Sequence, residues 1–226
     1  MMNMKIKYIW ILACLVGFMA CNDKEDFEMT EAEEELPPAS AGSADFSNFV
    51  ALGSSFTAGF TDNALFSASQ NFSLPNILSQ QFEIVGGGGI TQPLTNDNYG
   101  GLALAGNRIP GFDPRLVFGG AGPVPLESLI GPVTVTTDIA LNNPTGPFGN
   151  LGVPGAKSFH LLAPGYGNLG NVLLQLANPY FVRMTGSTPD ASVLELAVGQ
   201  SPSFFSLWIG NNDVLGYAVS GGDGTD

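Results

Sequence analysis

The chain has 226 residues, of which 44% are hydrophobic, and a formal net charge of −13 at neutral pH. This length and apolar content are enough for one sizeable folded domain. The negative charge excludes a nucleic-acid-binding protein, because phosphate groups must be neutralised by basic patches. Both cysteines, Cys14 and Cys21, lie near the amino terminus, and His160 is the only histidine. We therefore expect no disulfide within the domain, no cysteine- or histidine-rich zinc site and no cofactor.

The first 20 residues have the pattern of a secretory signal. Two lysines precede an apolar stretch over residues 8–20, which is shorter than the roughly 20 residues of a membrane span. The end of this stretch reads Gly-Phe-Met-Ala-Cys and resembles a bacterial lipoprotein signal, in which the cysteine is lipidated. We place the lipidation at Cys21, because Cys14 would leave a very short apolar core. The resemblance implies an outer-membrane lipoprotein that is held to the membrane by a lipid anchor.

An acidic and proline-containing segment follows over residues 21–44. Between Asn22 and Leu36, eight acidic residues stand against one lysine, a net charge of −7. Such a composition cannot bury enough apolar surface to fold, so it predicts a disordered tether. Acidic residues directly after a lipidated cysteine resemble an export signal to the outer face in some Gram-negative bacteria, and a plain spacer is the alternative. A periplasmic and a cell-surface location therefore both stay open.

The folded domain is expected to cover residues 45–226. Residues 46–52 and 204–209 are apolar runs that predict strands, the first of them buried on both faces of a parallel sheet. Residues 90–147 are rich in glycine, proline and asparagine and predict a loop-rich insertion with one short strand over 133–137. Helical periodicity predicts four helices, over residues 74–82, 157–162, 168–177 and 190–198. Their expected inward side chains are Leu74, Ile77, Leu78 and Phe82 in the first, Leu169, Val172, Leu173 and Leu176 in the third, and Val193, Leu194 and Ala197 in the fourth.

Three predicted strands end in short polar turns: those over residues 46–52 and 204–209, and a third whose end lies at residues 150–152. These turns read Gly-Ser-Ser at 53–55, Gly-Val-Pro-Gly at 152–155 and Gly-Asn-Asn-Asp at 210–213. Because ligands bind at the carboxyl ends of parallel strands, we expect the three turns to converge. A strand end followed by glycine and exposed backbone N–H groups is a suitable place for a nucleophilic serine hydroxyl. An ordinary glycine- and serine-containing turn is the alternative interpretation of the first turn.

The three turns together resemble the motif blocks of the SGNH, or GDSL, hydrolases, which read Gly-Asp-Ser-Leu, a glycine, and Gly-x-Asn-Asp. The resemblance implies a flavodoxin-like, three-layer α/β/α fold with a parallel sheet, and an esterase or lipase that acts on lipid or acylated-glycan esters. It places the nucleophile at Ser55 and the oxyanion hole at Gly155 and Asn212. The supporting positions that it implies are Gly53, Ser54, Gly210 and Asp213.

Two features depart from the family pattern. Ser54 replaces an aspartate, and we expect its hydroxyl to bond to nearby backbone N–H groups instead. The Asp-x-x-His block of the family is missing, and we expect His160 to be a helix residue rather than the general base. We therefore expect the chain to be the amino-terminal part of a longer protein, with a sheet that is incomplete at the carboxyl end and with weak or no activity by itself. A surface-anchored binding lipoprotein on a degenerate hydrolase fold is the alternative function.

Overall fold

The computed structural model describes residues 37–141 and 143–224. The predicted signal peptide, Cys21 and most of the predicted tether lie outside the described residues. Residues Ala39–Asp226 form one compact unit. Within the described part of the chain, no helix has both the length and the apolar character needed to cross a membrane.

The domain alternates short strands and short helices. In chain order they are β1 (Phe49–Gly53), α1 (Ser55–Ala58), α2 (Ser67–Asn71), α3 (Leu74–Glu83), β2 (Ala103–Leu104), β3 (Asn107–Arg108), β4 (Leu116–Phe118), β5 (Pro123–Pro125), α4 (Glu127–Ile130), β6 (Asn150–Gly152), the 3-10 helices Ser158–Leu162 and Leu169–Asn171, α5 (Pro179–Val182), α6 (Val193–Val198), β7 (Phe204–Trp208) and α7 (Asn211–Val219).

Strand β1 is the centre of a three-stranded parallel sheet with the order β6-β1-β7. Ala51 of β1 lies opposite Asn150 of β6 and Ser206 of β7. All five residues of β1 are buried, as the continuous apolar run predicts for a strand that is covered on both faces. The prediction of a mixed α/β fold with a parallel sheet is confirmed.

Helices α3 and α6 contact opposite faces of β1, because successive side chains of a strand point to opposite sides. Phe49 packs edge-on against Phe82 of α3, with ring centroids 5.1 Å apart. Val50 belongs to a core cluster that includes Val193 and Ala197 of α6. The predicted inward positions Val193 and Ala197 are buried, whereas the prediction is wrong for Leu194, which is 39% exposed.

Helix α6 starts later than predicted because Ser192 caps it. The Ser192 hydroxyl accepts from the N–H of Glu195 at 3.2 Å, and the Glu195 carboxylate accepts from the N–H of Ser192 at 2.8 Å. This reciprocal pair satisfies two backbone donors at the start of a helix. The helix therefore begins at Val193 rather than at Asp190.

The predicted helix over residues 168–177 is wrong. Only the 3-10 turn Leu169–Asn171 forms there, and the Asn168 side chain accepts from the N–H of Gly170 at 2.9 Å. Asparagine side chains compete with the helix for backbone partners in this way. Of the four expected inward residues only Val172 is buried, while Leu173 is 82% exposed. A new helix, α5, then begins after Asn178, whose side chain accepts from the N–H of Tyr180.

The insertion contains more regular structure than its composition predicts. Two hairpins, β2–β3 and β4–β5, form in it, and the predicted strand over residues 133–137 does not. Asp138 anchors the insertion internally, because its carboxylate accepts from four backbone N–H groups, including Gly106 at 2.6 Å. Burial raises the pKa of Asp138, but these four bonds outweigh it and the pKa lies below its usual value.

Buried polar side chains join the start of the insertion to the domain. The Gln70 side chain accepts from the N–H of Thr95 at 2.7 Å and donates to the Pro93 carbonyl at 3.0 Å. Arg183 is 1% exposed and donates to the carbonyls of Pro93 and Leu94. Burial lowers the pKa of Arg183 to about 10. These contacts fix residues 93–95 against helices α2 and α5.

Candidate functional site

Ser54 and Ser55 have different environments at the end of β1. Ser54 is fully buried, whereas Ser55 is partly exposed and is the first residue of α1. The first N–H groups of a helix have no partner within the helix. Ser55 therefore places a hydroxyl and an N–H side by side at the end of the central strand.

Two glycines allow the backbone to pack closely around Ser55. A Cβ atom at Gly53 would lie 2.5 Å from the Trp208 carbonyl oxygen. A Cβ atom at Gly152 would lie 2.6 Å from the Thr57 carbonyl carbon and 2.7 Å from Ala58 Cα. Real Cβ atoms do not come this close to backbone, so α1 sits against β6 only because position 152 is glycine. This packing fixes the position of Ser55 relative to the sheet.

Ser54 joins the first turn to the third. Its N–H donates to the Trp208 carbonyl at 3.2 Å, and its hydroxyl donates to Asn211 Oδ1 at 2.7 Å. The expectation that the hydroxyl would bond to backbone N–H groups is corrected, because its partner is a side chain on another strand end. This bond leaves Ser54 engaged in the interior and makes Ser55 the accessible serine of the pair.

The second turn is tied to the first through the backbone. The N–H of Val153 donates to the Gly53 carbonyl at 2.9 Å, and the N–H of Ala156 donates to the Val153 carbonyl at 3.0 Å. Gly155 is exposed and has a backbone φ of +79°. A Cβ atom added to Gly155 would have no atom within 4 Å. Glycine is needed at this position for its left-handed backbone rather than for space.

The third turn reaches the second through two side chains. Asn212 donates to the Ala156 carbonyl at 2.8 Å. Asp213 accepts from the Ser158 hydroxyl at 2.6 Å and from the Ser158 N–H at 2.9 Å. The hydrogen bond from the Ser158 hydroxyl is the main reason why the pKa of the Asp213 carboxyl group lies below its usual value. Gly210 has a left-handed backbone conformation, with φ +99°, and directly precedes α7.

These contacts bring Gly53, Ser54, Gly155, Gly210, Asn212 and Asp213 together around one end of the sheet, with Ser55 at the first turn. The Asn212 amide has two hydrogens, and the bond to Ala156 uses one of them. The second hydrogen is available to another acceptor. The arrangement can therefore offer backbone and amide donors near a serine hydroxyl.

His160 lies in the 3-10 helix Ser158–Leu162, which occupies the place of the helix predicted over 157–162. Its Nδ1 accepts from the N–H of Lys157 at 2.9 Å, and its ring stacks on Tyr166 with centroids 4.4 Å apart. Nδ1 is therefore engaged within the protein and is not open to another donor. His160 also lines a cavity of about 720 Å³ between the 104–112 and 172–179 segments.

Sequence reasoning missed two residues that build this site. Asn150 is 2% exposed and donates to the Thr57 carbonyl at 2.9 Å, while its Oδ1 accepts from the N–H of Gly152 at 2.9 Å. Asn211 Oδ1 accepts a hydrogen bond from the Ser54 hydroxyl. Asn150 could have been identified from the sequence as a polar residue at the start of a buried strand. In the described ranges 37–141 and 143–224, no group of three histidine, cysteine or acidic side chains could hold a metal ion.

No family model, curated protein or solved structure matches the chain. The roles of the site residues therefore rest on the geometry above and on the motif pattern of the three turns. The likeness to the SGNH hydrolases stays a prediction.

Proposed function

We propose that the protein is a lipid-anchored serine ester hydrolase of the esterase or lipase type. The observation that carries the proposal is the hydrogen-bonded junction of the three turns around Ser55. Ser54 is bound to Asn211, Asn212 is bound to Ala156, and Val153 is bound to Gly53. This junction joins the turn that carries the partly exposed Ser55 to the turns that carry Gly155 and the Asn212 amide.

The proposed chemistry is acyl transfer. Ser55 Oγ attacks the ester carbonyl carbon, and the negative charge that develops on the carbonyl oxygen is stabilised by the N–H groups of Ser55 and Gly155 and by the Asn212 amide. Each such donor is worth about 3–4 kcal/mol of the barrier. The alcohol then leaves with a proton, and water hydrolyses the acyl-serine.

The Ser55 proton needs a base, and we do not assign His160 to this role. His160 is bonded to Lys157 and stacked on Tyr166. A serine hydroxyl without an adjacent base is a weak nucleophile. We therefore expect slow ester turnover by the 226-residue chain.

The test compares serine variants in hydrolysis of p-nitrophenyl butyrate and in covalent labelling by a fluorophosphonate, read by mass spectrometry. Ser55→Ala should abolish both signals, and Asn212→Ala should lower turnover about 100- to 1,000-fold. Ser128→Ala, in the insertion, is the control and should leave both signals unchanged. Equal turnover or labelling in Ser55→Ala and the unchanged chain would sink the assignment.

A binding lipoprotein on a degenerate hydrolase fold is the second candidate. It is favoured by the engagement of the Ser54 hydroxyl and the Asn212 amide in contacts within the protein. This candidate predicts neither hydrolysis nor labelling at Ser55, together with retained binding of the substrate class. The two measurements above therefore separate the two functions.

The membrane location is part of the proposal. We propose that Cys21 is lipidated and holds the domain to the outer membrane through the acidic tether. Cys21→Ser should release the protein from the membrane fraction of expressing cells, and Cys14→Ser should not. Release by Cys14→Ser alone would move the anchor to that position.

A further inference from the structure

An apolar groove of about 530 Å³ lies beside the turn that carries Ser55. Its main lining side chains are Phe56, Phe60, Phe66, Phe72, Leu74 and Ile77. None of the described residues that line it is charged. The volume falls within the roughly 300–1,000 Å³ of small-molecule sites.

One end of the groove is fixed next to Ser55. Phe56 follows Ser55 in helix α1 and lines the groove. Its ring stacks on Trp208 with centroids 5.5 Å apart and an interplanar angle of 13°. The Trp208 carbonyl accepts from the N–H of Ser54 at 3.2 Å. Covalent and hydrogen bonds therefore hold this end of the groove at the candidate nucleophile.

Two serine hydroxyl groups in and beneath the groove are already engaged. The Ser69 hydroxyl donates to the Phe66 carbonyl at 2.8 Å. Beneath it, the Ser73 hydroxyl donates to Gln92 Oε1 at 2.9 Å. A ligand with many hydroxyl groups would find few partners there, and buried polar groups without partners are unfavourable. The groove therefore suits a hydrocarbon chain better than a sugar.

Two large apolar side chains on the rim of the groove are exposed. The sequence predicts an inward Ile77, but the buried residues of α3 are Pro75 and Ser79, and Ile77 is 44% exposed. Phe72, at the end of α2, is 77% exposed. Contiguous exposed apolar surface of this kind marks binding sites in soluble domains.

We propose that this groove binds the unbranched acyl chain of the ester substrate. The ester carbonyl lies at Ser55 and the alkyl tail runs past Phe56 towards Phe72 and Ile77. This inference rests on the proposed ester chemistry and narrows it, because a lipid acyl group fills the groove and the acetyl group of an acylated glycan does not.

The test is direct binding of free fatty acids, which needs no turnover. Octanoate, decanoate and dodecanoate are titrated below their micelle-forming concentrations into the full chain, and displacement of a fluorescent fatty acid is measured. Each added methylene should tighten binding about fourfold, as expected for about 0.8 kcal/mol per buried methylene.

Phe72→Asp is the decisive variant, and it should weaken dodecanoate binding at least tenfold. Phe118→Asp is its matched control, since Phe118 in hairpin β4–β5 is 75% exposed and does not line the groove, and it should bind normally. Ile77→Glu gives a second, independent change in the groove with the same expected loss.

Binding that is independent of chain length, or that survives Phe72→Asp and Ile77→Glu, overturns the acyl-chain assignment. Dimerisation that Phe72→Asp removes, without fatty-acid binding, overturns it too and assigns the groove to contact between copies. Chain-length-dependent binding with no ester hydrolysis supports the groove and refutes the hydrolase instead. Failure of the two proposals is therefore distinguishable.

Discussion

Gly152→Ala should destabilise the domain and displace the helix that carries Ser55. The new Cβ would lie 2.6 Å from the Thr57 carbonyl carbon and 2.7 Å from Ala58 Cα. Both atoms belong to the backbone of α1, so no side-chain rotation can relieve the contact. Overpacking of this kind typically costs about 1–3 kcal/mol. We expect a loss of about 3 kcal/mol, because the strained atoms lie between the central sheet and a packed helix.

The assay is urea denaturation followed by circular dichroism, together with fluorophosphonate labelling of Ser55. Gly122→Ala is the control, since nothing lies within 4 Å of its Cβ position in the β4–β5 turn, and it should change stability by less than about 1 kcal/mol. A Gly152→Ala variant as stable as the unchanged chain would refute the close-packing argument. So would an equal loss in both variants.

Two further substitutions test the links between the turns. Asn150→Ala leaves the Thr57 carbonyl and the Gly152 N–H without their partners in the interior. We expect urea denaturation to show a free energy of unfolding that is lower by about 2 kcal/mol. An unchanged free energy of unfolding would mean that Asn150 does not hold β6 to α1. Ser158→Ala should raise the pKa of Asp213, seen in an NMR titration of its carboxyl group, because the Ser158 hydroxyl is the main cause of the lowering. A lowered carboxyl pKa stabilises the fold above the unfolded-state pKa, and that contribution is lost as the pH falls through the folded-state pKa. The acid-side dependence of stability should therefore shrink in Ser158→Ala, and an unchanged Asp213 titration would contradict the assignment.

Elements whose signal is local could be predicted from the sequence. The apolar run of β1 and the periodicity of α3 depend on neighbouring residues, and both elements form within a few residues of their predicted bounds. The predicted helix over residues 168–177 does not form, because its leucines have no surface to pack on and its asparagine side chains form hydrogen bonds with the backbone. Helical spacing alone cannot show whether a core lies opposite.

The same distinction applies to the candidate site. The three turns could be identified because glycine at a strand end is a local feature. The bonds that join them connect residues more than 50 positions apart, such as Asn212 to Ala156, and no pattern in the sequence encodes them. Ile77 shows the limit clearly, since its spacing predicts an inward side chain, whereas Ile77 is 44% exposed and lines an open groove.

The Ser54–Asn211 pair explains how a serine can stand where the motif pattern has an aspartate. Ser54 is fully buried, and a carboxylate there would be desolvated against Asn211 Oδ1, which is also an acceptor. A hydroxyl donates to that oxygen without carrying charge. The first and third turns are thus linked by a hydrogen bond between two neutral groups. This bond fixes Asn211, and therefore also the neighbouring Asn212, independently of pH. The oxyanion donors that we propose would therefore stay in place over the whole pH range in which the sheet is folded.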